Sequence, residues 1–420
     1  MRFWKYGLLA TLMTALVSCG GGGGGSATSS STSYAAGISV GDSGSLTIDT
    51  TALTYSLAIE NSSYGLGGQT LTGNLRANAD GTYSITGTTY GKLFVYPNYA
   101  VLPVKIDPND AKFADYFAKH PYITKSFYVP VFALKKSSLL TTTDDVTSNG
   151  VSMEYRAGTI YQSTVSNSTS YKALMSRGTV TKVSNTEFTV RSCNNGGRSS
   201  LNSRLATANC TDLIATTRTF TYDSASNAWL VTPPDTAQPN QVIRAYFVKD
   251  SITNQVVGYI DTADATKNSA GFSVVAIAPA NTVIPHSSAA SYSFTGYQLC
   301  LSDANCAATG SGSQQEFGVF AADSLPMSNT SQTVTSSGGC TSTETDDSPA
   351  NGFFQGVWTG TNNNSECTSS GSRPDTAGFF IGGYSVNGKG RSLMVLVGYD
   401  TTVIAPTPSQ KLTIGNIAEN

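Results

Sequence analysis

Residues able to act as nucleophile, general base or metal ligand are sparse in this 420-residue chain. The two histidines are His120 and His286. A serine–histidine–aspartate triad would need one of them as its base. His120 precedes Pro121 and His286 follows Pro285, positions that suit a surface imidazole. No GxSxG elbow occurs; Gly41-Asp42-Ser43-Gly44-Ser45 lacks the last glycine. P-loop, HExxH and EF-hand patterns and a GxGxxG-plus-acid unit are absent from the sequence as well. A glycosidase would need two carboxylates about 5–10 Å apart. The glutamates, Glu60, Glu154, Glu187, Glu316, Glu344, Glu366 and Glu419, are scattered along the chain. Asp144-Asp145 and Glu344-Thr345-Asp346-Asp347 are acidic, but they lack the alternating spacing and glycine turn of a calcium loop. No catalytic residue, metal or cofactor is expected.

Sulfur is the exception. Arg2 and Lys5 precede an apolar run at residues 8–17, too short to span a bilayer as a helix. The run ends in Leu16-Val17-Ser18-Cys19. These residues resemble the lipobox of bacterial lipoproteins: a branched apolar residue, a tolerant position, a small residue, then cysteine. The resemblance implies a signal peptide at 1–18, cleavage before Cys19, and diacylglycerol on the Cys19 thiol. It also implies fatty acylation, such as palmitate, of the new amine. Gly20, in place of the aspartate that retains such lipoproteins in the inner membrane, implies the outer membrane. Residues 20–25 are all glycine and 26–33 are Ser, Thr and Ala, which makes 19–33 the lipidated cysteine and its tether. Fourteen such residues average roughly 5–6 Å × √14, about 20 Å end to end.

The other six cysteines are Cys193, Cys210, Cys300, Cys306, Cys340 and Cys367. An even number in an exported chain points to three disulfides. Sequence-adjacent pairing, Cys193–Cys210, Cys300–Cys306 and Cys340–Cys367, is the simplest of the 15 pairings that six cysteines allow. The Cys193–Cys210 loop would gain roughly 3 kcal/mol from its bridge. The chain has no CxxC and no histidine near these cysteines, which argues against zinc.

Composition bounds what must position these groups. Charged residues are 12%, with 25 basic against 27 acidic, so no basic patch serves nucleic acid. At 39% hydrophobic and 10% aromatic the chain can bury a core. Its 54 Ser, 54 Thr and 21 Tyr favour strands. Alternating segments at 53–59, 71–77, 82–86, 91–95, 100–106, 178–183, 187–191, 217–222, 228–231, 242–248, 256–260, 272–277, 292–299 and 392–399 recur between turn residues. The fold expected is all-β, with tandem small antiparallel barrels or sandwiches. One helix is expected at 107–120, capped by Asp107 with Pro108 at its first position. It would cover a barrel end or act as a lid. Residues 328–345 read as loop.

A weak repeat supports three β-modules, at 34–140, 141–285 and 286–420. A hairpin closes on Val257-Gly258-Tyr259, another on Val397-Gly398-Tyr399, and 91–107 has a similar outline. One continuous β-fold or a propeller are the alternatives. The layout of lipobox, glycine tether and Asp80-Gly81-Thr82-Tyr83 hairpin also loosely resembles lipoproteins common in beta-proteobacteria, without lending a function.

Aromatics are the remaining candidates for contact. Tyr96 and Tyr99 in a turn, and Trp358 in Gly356-Val357-Trp358-Thr359-Gly360, could stack on sugars or anchor a partner, or pack across strands. The function expected is a membrane-anchored envelope lipoprotein with a non-enzymatic binding or structural role, facing the periplasm or the surface. Its partners would be the membrane, through the lipid, and an envelope protein or glycan. A lipid-anchored polysaccharide hydrolase, or a barrel carrying a small apolar ligand, are the alternatives.

Overall fold

The computed structural model describes residues 30–39, 42–62, 66–88, 91–119, 126–147, 153–165, 168–193, 215–231, 241–264, 269–279, 291–300, 319–326, 331–335, 340–346, 354–360, 376–386, 388–400 and 407–420. Over these residues the chain is all-β, built from three successive eight-stranded antiparallel meanders.

The first comprises β1 (Ser31–Ser39), β2 (Asp42–Asp49), β3 (Thr54–Asn61), β4 (Thr70–Ala77), β5 (Tyr83–Ile85), β6 (Lys92–Val95), β7 (Tyr99–Ile106) and β8 (Phe127–Lys135). It closes where β1 pairs with β8. The second comprises β9 (Met153–Val165), β10 (Ser168–Ser184), β11 (Glu187–Cys193), β12 (Ala215–Asp223), β13 (Ala228–Val231), β14 (Val242–Lys249), β15 (Val256–Asp264) and β16 (Ser269–Pro279). Here β16 returns to β9. The third comprises β17 (Ser291–Cys300), β18 (Val319–Pro326), β19 (Ser331–Thr335), β20 (Cys340–Asp346), β21 (Phe354–Gly360), β22 (Thr376–Val386), β23 (Lys389–Asp400) and β24 (Thr407–Glu419). Its β17 and β24 are paired. The seam falls between β18 and β19, the two ends of the sheet order among the described residues.

Strand burial explains the packing. In β2, Leu46 and Ile48 are buried while Ser45, Thr47 and Asp49 between them are half-exposed. That is a strand with one face on a core and one on water. By contrast β7, residues 391–397 of β23 and residues 412–418 of β24 are buried along both faces. Their outward faces meet the other units. One apolar cluster runs from Val101 and Phe132 through Tyr259, Phe272 and Val274 to Val395, Leu412 and Ile414. Close approach is enforced at Gly37, where a Cβ would lie 2.5 Å from the Phe272 ring.

The second barrel also has its own interior, an aromatic stack. Phe188 and Phe220 stack at 5.1 Å, and Trp229 meets Phe188 edge-on at 4.9 Å. Trp229 Nε1 donates to the Leu140 carbonyl at 2.9 Å, satisfying its buried polar end.

Several expectations change. β1 begins at Ser31, so the strand takes over the last residues assigned to the tether. The 107–120 helix is shorter and starts later. Asp107 Oδ1 accepts from the Asn109 N–H instead of capping. Asp110 caps a 3-10 turn at Ala111–Phe113, and α1 (Ala114–Lys119) follows. Phe113 is buried in the shared cluster and Phe117 packs on it. Gln69 Nε2 donates to the Lys112 carbonyl at 2.7 Å, tying the turn to the first barrel. A second helix, α2 (Thr143–Thr147), carries Asp144 and Asp145 in its first turn, where acidic side chains face the positive helix end. Residues 331–335 and 340–346, within the stretch read as loop, form an antiparallel pair. Among the described residues, no helix is long and apolar enough to cross a membrane.

Candidate functional site

The aromatic turn of the first barrel is an internal joint. Tyr96 and Tyr99 are buried and stack on each other at 4.4 Å. The Tyr96 hydroxyl lies 2.8 Å from Asn416 Oδ1 and 3.1 Å from the Ser392 carbonyl, both in the third unit. The Tyr99 hydroxyl points at Asp250 Oδ2 in the second. Neither ring offers a face to a ligand, which corrects their reading as a binding platform. The turn folds inward because the second barrel and the third sheet press on it. Gly382 completes the joint. Its φ is +48°, and a Cβ there would lie 2.3 Å from the Tyr99 hydroxyl. The Gly382 N–H donates to Gln255 Oε1 at 2.8 Å.

The other sequence candidates fall elsewhere. Cys19, Cys210, Cys306, Cys367, His120 and His286 lie outside the described residues. Cys193 ends β11, Cys300 ends β17 and Cys340 begins β20. Trp358 sits in β21 opposite Ser342. The side chains of these four residues are outside the described set.

Two polar constellations were not legible in the sequence. Glu154 is buried between Arg156 Nε, at 3.0 Å from Oε1, and Arg177 Nη2, at 2.9 Å from Oε2. Arg156 and Arg177 are register partners on adjacent strands, a pairing no linear spacing reveals. Burial pulls the Arg156 guanidinium down, and Glu154 opposes the shift. The group is a closed ion cluster with its carboxylate engaged on both oxygens. It leaves no free acid for glycoside chemistry. The second constellation is Lys136–Ser45–Glu60. Lys136 Nζ donates to Ser45 Oγ at 2.8 Å, and Ser45 donates to Glu60 Oε1 at 2.5 Å. A lysine that donates to the serine does not take its proton, and the trio is exposed to water. No group of three or more histidine, cysteine, aspartate or glutamate side chains able to hold a metal occurs among the described residues.

One surface does collect short polar groups. On β2–β4, Thr47, Asp49, Thr54, Ser56, Thr72 and Asn74 alternate with the buried Ile48, Leu57, Leu71 and Leu75. Register aligns them into two rows. Ser33, Thr47, Ser56 and Thr72 are successive partners, as are Ser31, Asp49, Thr54 and Asn74. The face holds an open depression of about 410 Å³, lined by Thr47, Asp49, Thr54, Tyr55, Ser56, Thr72, Gly73 and Asn74. Gly73 is small because the Tyr55 ring crosses it; a Cβ there would lie 2.4 Å from that ring. Asp49 is the single charge in the lining, and its Oδ1 accepts from the Thr51 and Ala52 N–H groups at 2.9 and 2.7 Å. A lone, turn-bound carboxylate is not the pair that hydrolysis requires.

No family model and no curated protein matches this chain. Among solved structures, a Nostoc punctiforme protein of unknown function from the DUF3598 family matches at 11% identity. The match covers 59% of this chain and 93% of that one, with a TM-score of 0.23.

Proposed function

We propose that the chain is a lipid-anchored envelope protein that displays a rigid β-body for non-enzymatic binding. The observation that carries this reading is the order Leu16-Val17-Ser18-Cys19, then six glycines and a Ser/Thr segment, then a first strand at Ser31. A lipid on Cys19 and a spacer of that composition would hold the barrels off a bilayer. Membrane contact is through the lipid, at the outer membrane, and the partner is an envelope protein or glycan rather than nucleic acid. The engaged state of Glu154 and the exposed Ser45 trio support binding over catalysis. The packed aromatic interior of the second barrel argues against transport of an apolar ligand there.

Fractionation tests the anchor. The wild-type chain is expected in membranes, with incorporation of labelled fatty acid and globomycin-sensitive processing. A Cys19→Ala protein that stays equally membrane-bound overturns the reading. Three disulfides complete the proposal. Cys193, Cys300 and Cys340 each lie at a strand end, so a bridge from any of them would staple the adjoining segment without entering a core. Six reactive thiols on the unfolded mature protein would refute them.

A further inference from the structure

We infer that the interface between the first and second barrels is a proton-controlled joint. It stays shut while the Asp261 carboxyl carries a proton, and its Asp261 end parts when that proton leaves.

Alternation along β15 sets the carboxyl at this interface. Val256 and Ile260 line the interior of the second barrel, whereas Val257 and Tyr259 belong to the cluster shared with the first. Asp261 follows Tyr259 on that outward face and is only 4% exposed. Phe272 lies opposite it on β16. At Gly37 of β1 a Cβ would lie 2.5 Å from the Phe272 ring and 2.9 Å from the Tyr259 ring, so the first barrel's backbone rests on both. Among the described residues, Asp261 Oδ1 has no hydrogen-bond partner.

Charged and titratable groups surround it from each side. Arg244 and Tyr246 stand on β14 and Tyr259 on β15. From the first barrel comes Glu60 of β3, whose Oε1 accepts from Ser45, which in turn accepts from Lys136. Asp42 of β2 shares the buried face of its strand with Leu46 and Ile48. Burial pushes the Tyr259 hydroxyl well above its ordinary value, and Tyr246, Asp261 and Glu60 add to the shift. Two carboxylates thus bear on one hydroxyl from the two sides of the interface. Burial also pushes the Asp261 carboxyl up to about 6, against Arg244 and the Thr262 N–H. An ionised carboxylate with a dry, unbonded oxygen is expensive, and admitting water along one interface costs less than unfolding.

The opposite end of the interface is fastened. Asn98 Nδ2 donates to the Lys249 carbonyl at 2.7 Å, the Leu140 N–H donates to the Phe247 carbonyl at 2.8 Å, and Leu139 bridges Val248. Val256, the register partner of Lys249, begins β15 at that end. Asp261 lies about 17 Å further along, at roughly 3.4 Å per residue. The interface therefore hinges at 247–249 and opens at Asp261. The shut form holds the proton more tightly, so its preference is full below about pH 4, falls as pH rises from about 4 to 6, and then levels off. The ratio of shut to open forms drops about fiftyfold over that window.

Hydroxyl-radical footprinting of the full chain, read by mass spectrometry at pH 4 and 7.5, tests this. Oxidation of Tyr259 and Phe272 should rise roughly tenfold or more, with its midpoint between pH 4 and 6. Trp229, inside the second barrel, should stay protected at both. Asp261→Asn, which cannot ionise, should keep both rings as protected at pH 7.5 as wild type keeps them at pH 4. Equal oxidation of the two rings at both pH values in wild type overturns the inference, as does a rise that survives in the variant. A parallel rise at Trp229 overturns it too, because it reports loss of the barrel itself. The wild-type titration decides even if the variant does not fold.

Discussion

Asp261 is a carboxyl group placed away from water. It lies on β15 opposite Arg244 of β14, and its Oδ1 has no hydrogen-bond partner among the described residues. Burial pushes its pKa up to about 6, with Arg244 and the Thr262 N–H opposing the shift. In the unfolded chain the same group titrates near the ordinary carboxyl value. The folded state therefore holds this proton more tightly. Below about pH 4 both states are protonated and the group costs nothing. As pH rises from about 4 through 6 the unfolded chain ionises first, so stability falls and then levels off. The expected loss is roughly 2–3 kcal/mol across that window. Asp261→Asn should flatten this part of the profile and stabilise the protein at pH 8 relative to wild type. Denaturant midpoints at pH 4.5 and 8 measure it, and identical pH dependence in both proteins would rule it out. Glu154 gives the opposite lesson. Glu154→Gln leaves two buried guanidinium groups without their shared carboxylate, an expected cost of about 3–5 kcal/mol in denaturant unfolding.

Strands carry two kinds of information, and they were not equally readable. Segments that alternate, such as 53–59 from its second residue on and 71–77, fall in β3 and β4 because one face meets water and the other a core. β1 and β19 were missed because Ser, Thr and Gly dominate them and leave little contrast between faces. The helix cap moved from Asp107 to Asp110 because both are aspartates with a free amide two residues on, and local sequence does not rank them. Gly382 is invisible to any such pattern. Replacing it with alanine adds left-handed strain and a collision with Tyr99 and Asp250. The expected destabilisation is about 2–4 kcal/mol. Thermal unfolding of Gly382→Ala measures it; an unchanged melting temperature would remove Gly382 from the joint.

The three meanders behave as one body because their outward faces share a core. The look-alike hairpins in the sequence occupy β6–β7, β14–β15 and β22–β23, which are strands six and seven of each unit. The seventh and eighth strands in turn supply much of the common cluster. Polar bonds reinforce it. Besides Tyr96, the Tyr297 hydroxyl accepts from the Lys92 N–H at 2.8 Å and sits 3.2 Å from the Lys92 carbonyl. Calorimetry should therefore show one unfolding transition in place of three. A Tyr96→Phe, Tyr297→Phe protein should melt lower, losing about 1 kcal/mol per bond. Three separate endotherms in the wild type would show that the three units unfold independently.

Sequence alone determined the fold class, since hydrophobic period and turn residues are local and act on each strand separately. It also held the resemblance behind the proposed lipid on Cys19, and the sparseness of catalytic groups. Tertiary structure decided where each face points. Tyr96 and Tyr99 are chemically suited to a ligand or to a core, and only the neighbouring units turned them inward. Thr47, Ser56 and Thr72 are ordinary residues in a chain rich in threonine and serine. They form a surface because strand register, a long-range property, sets them side by side.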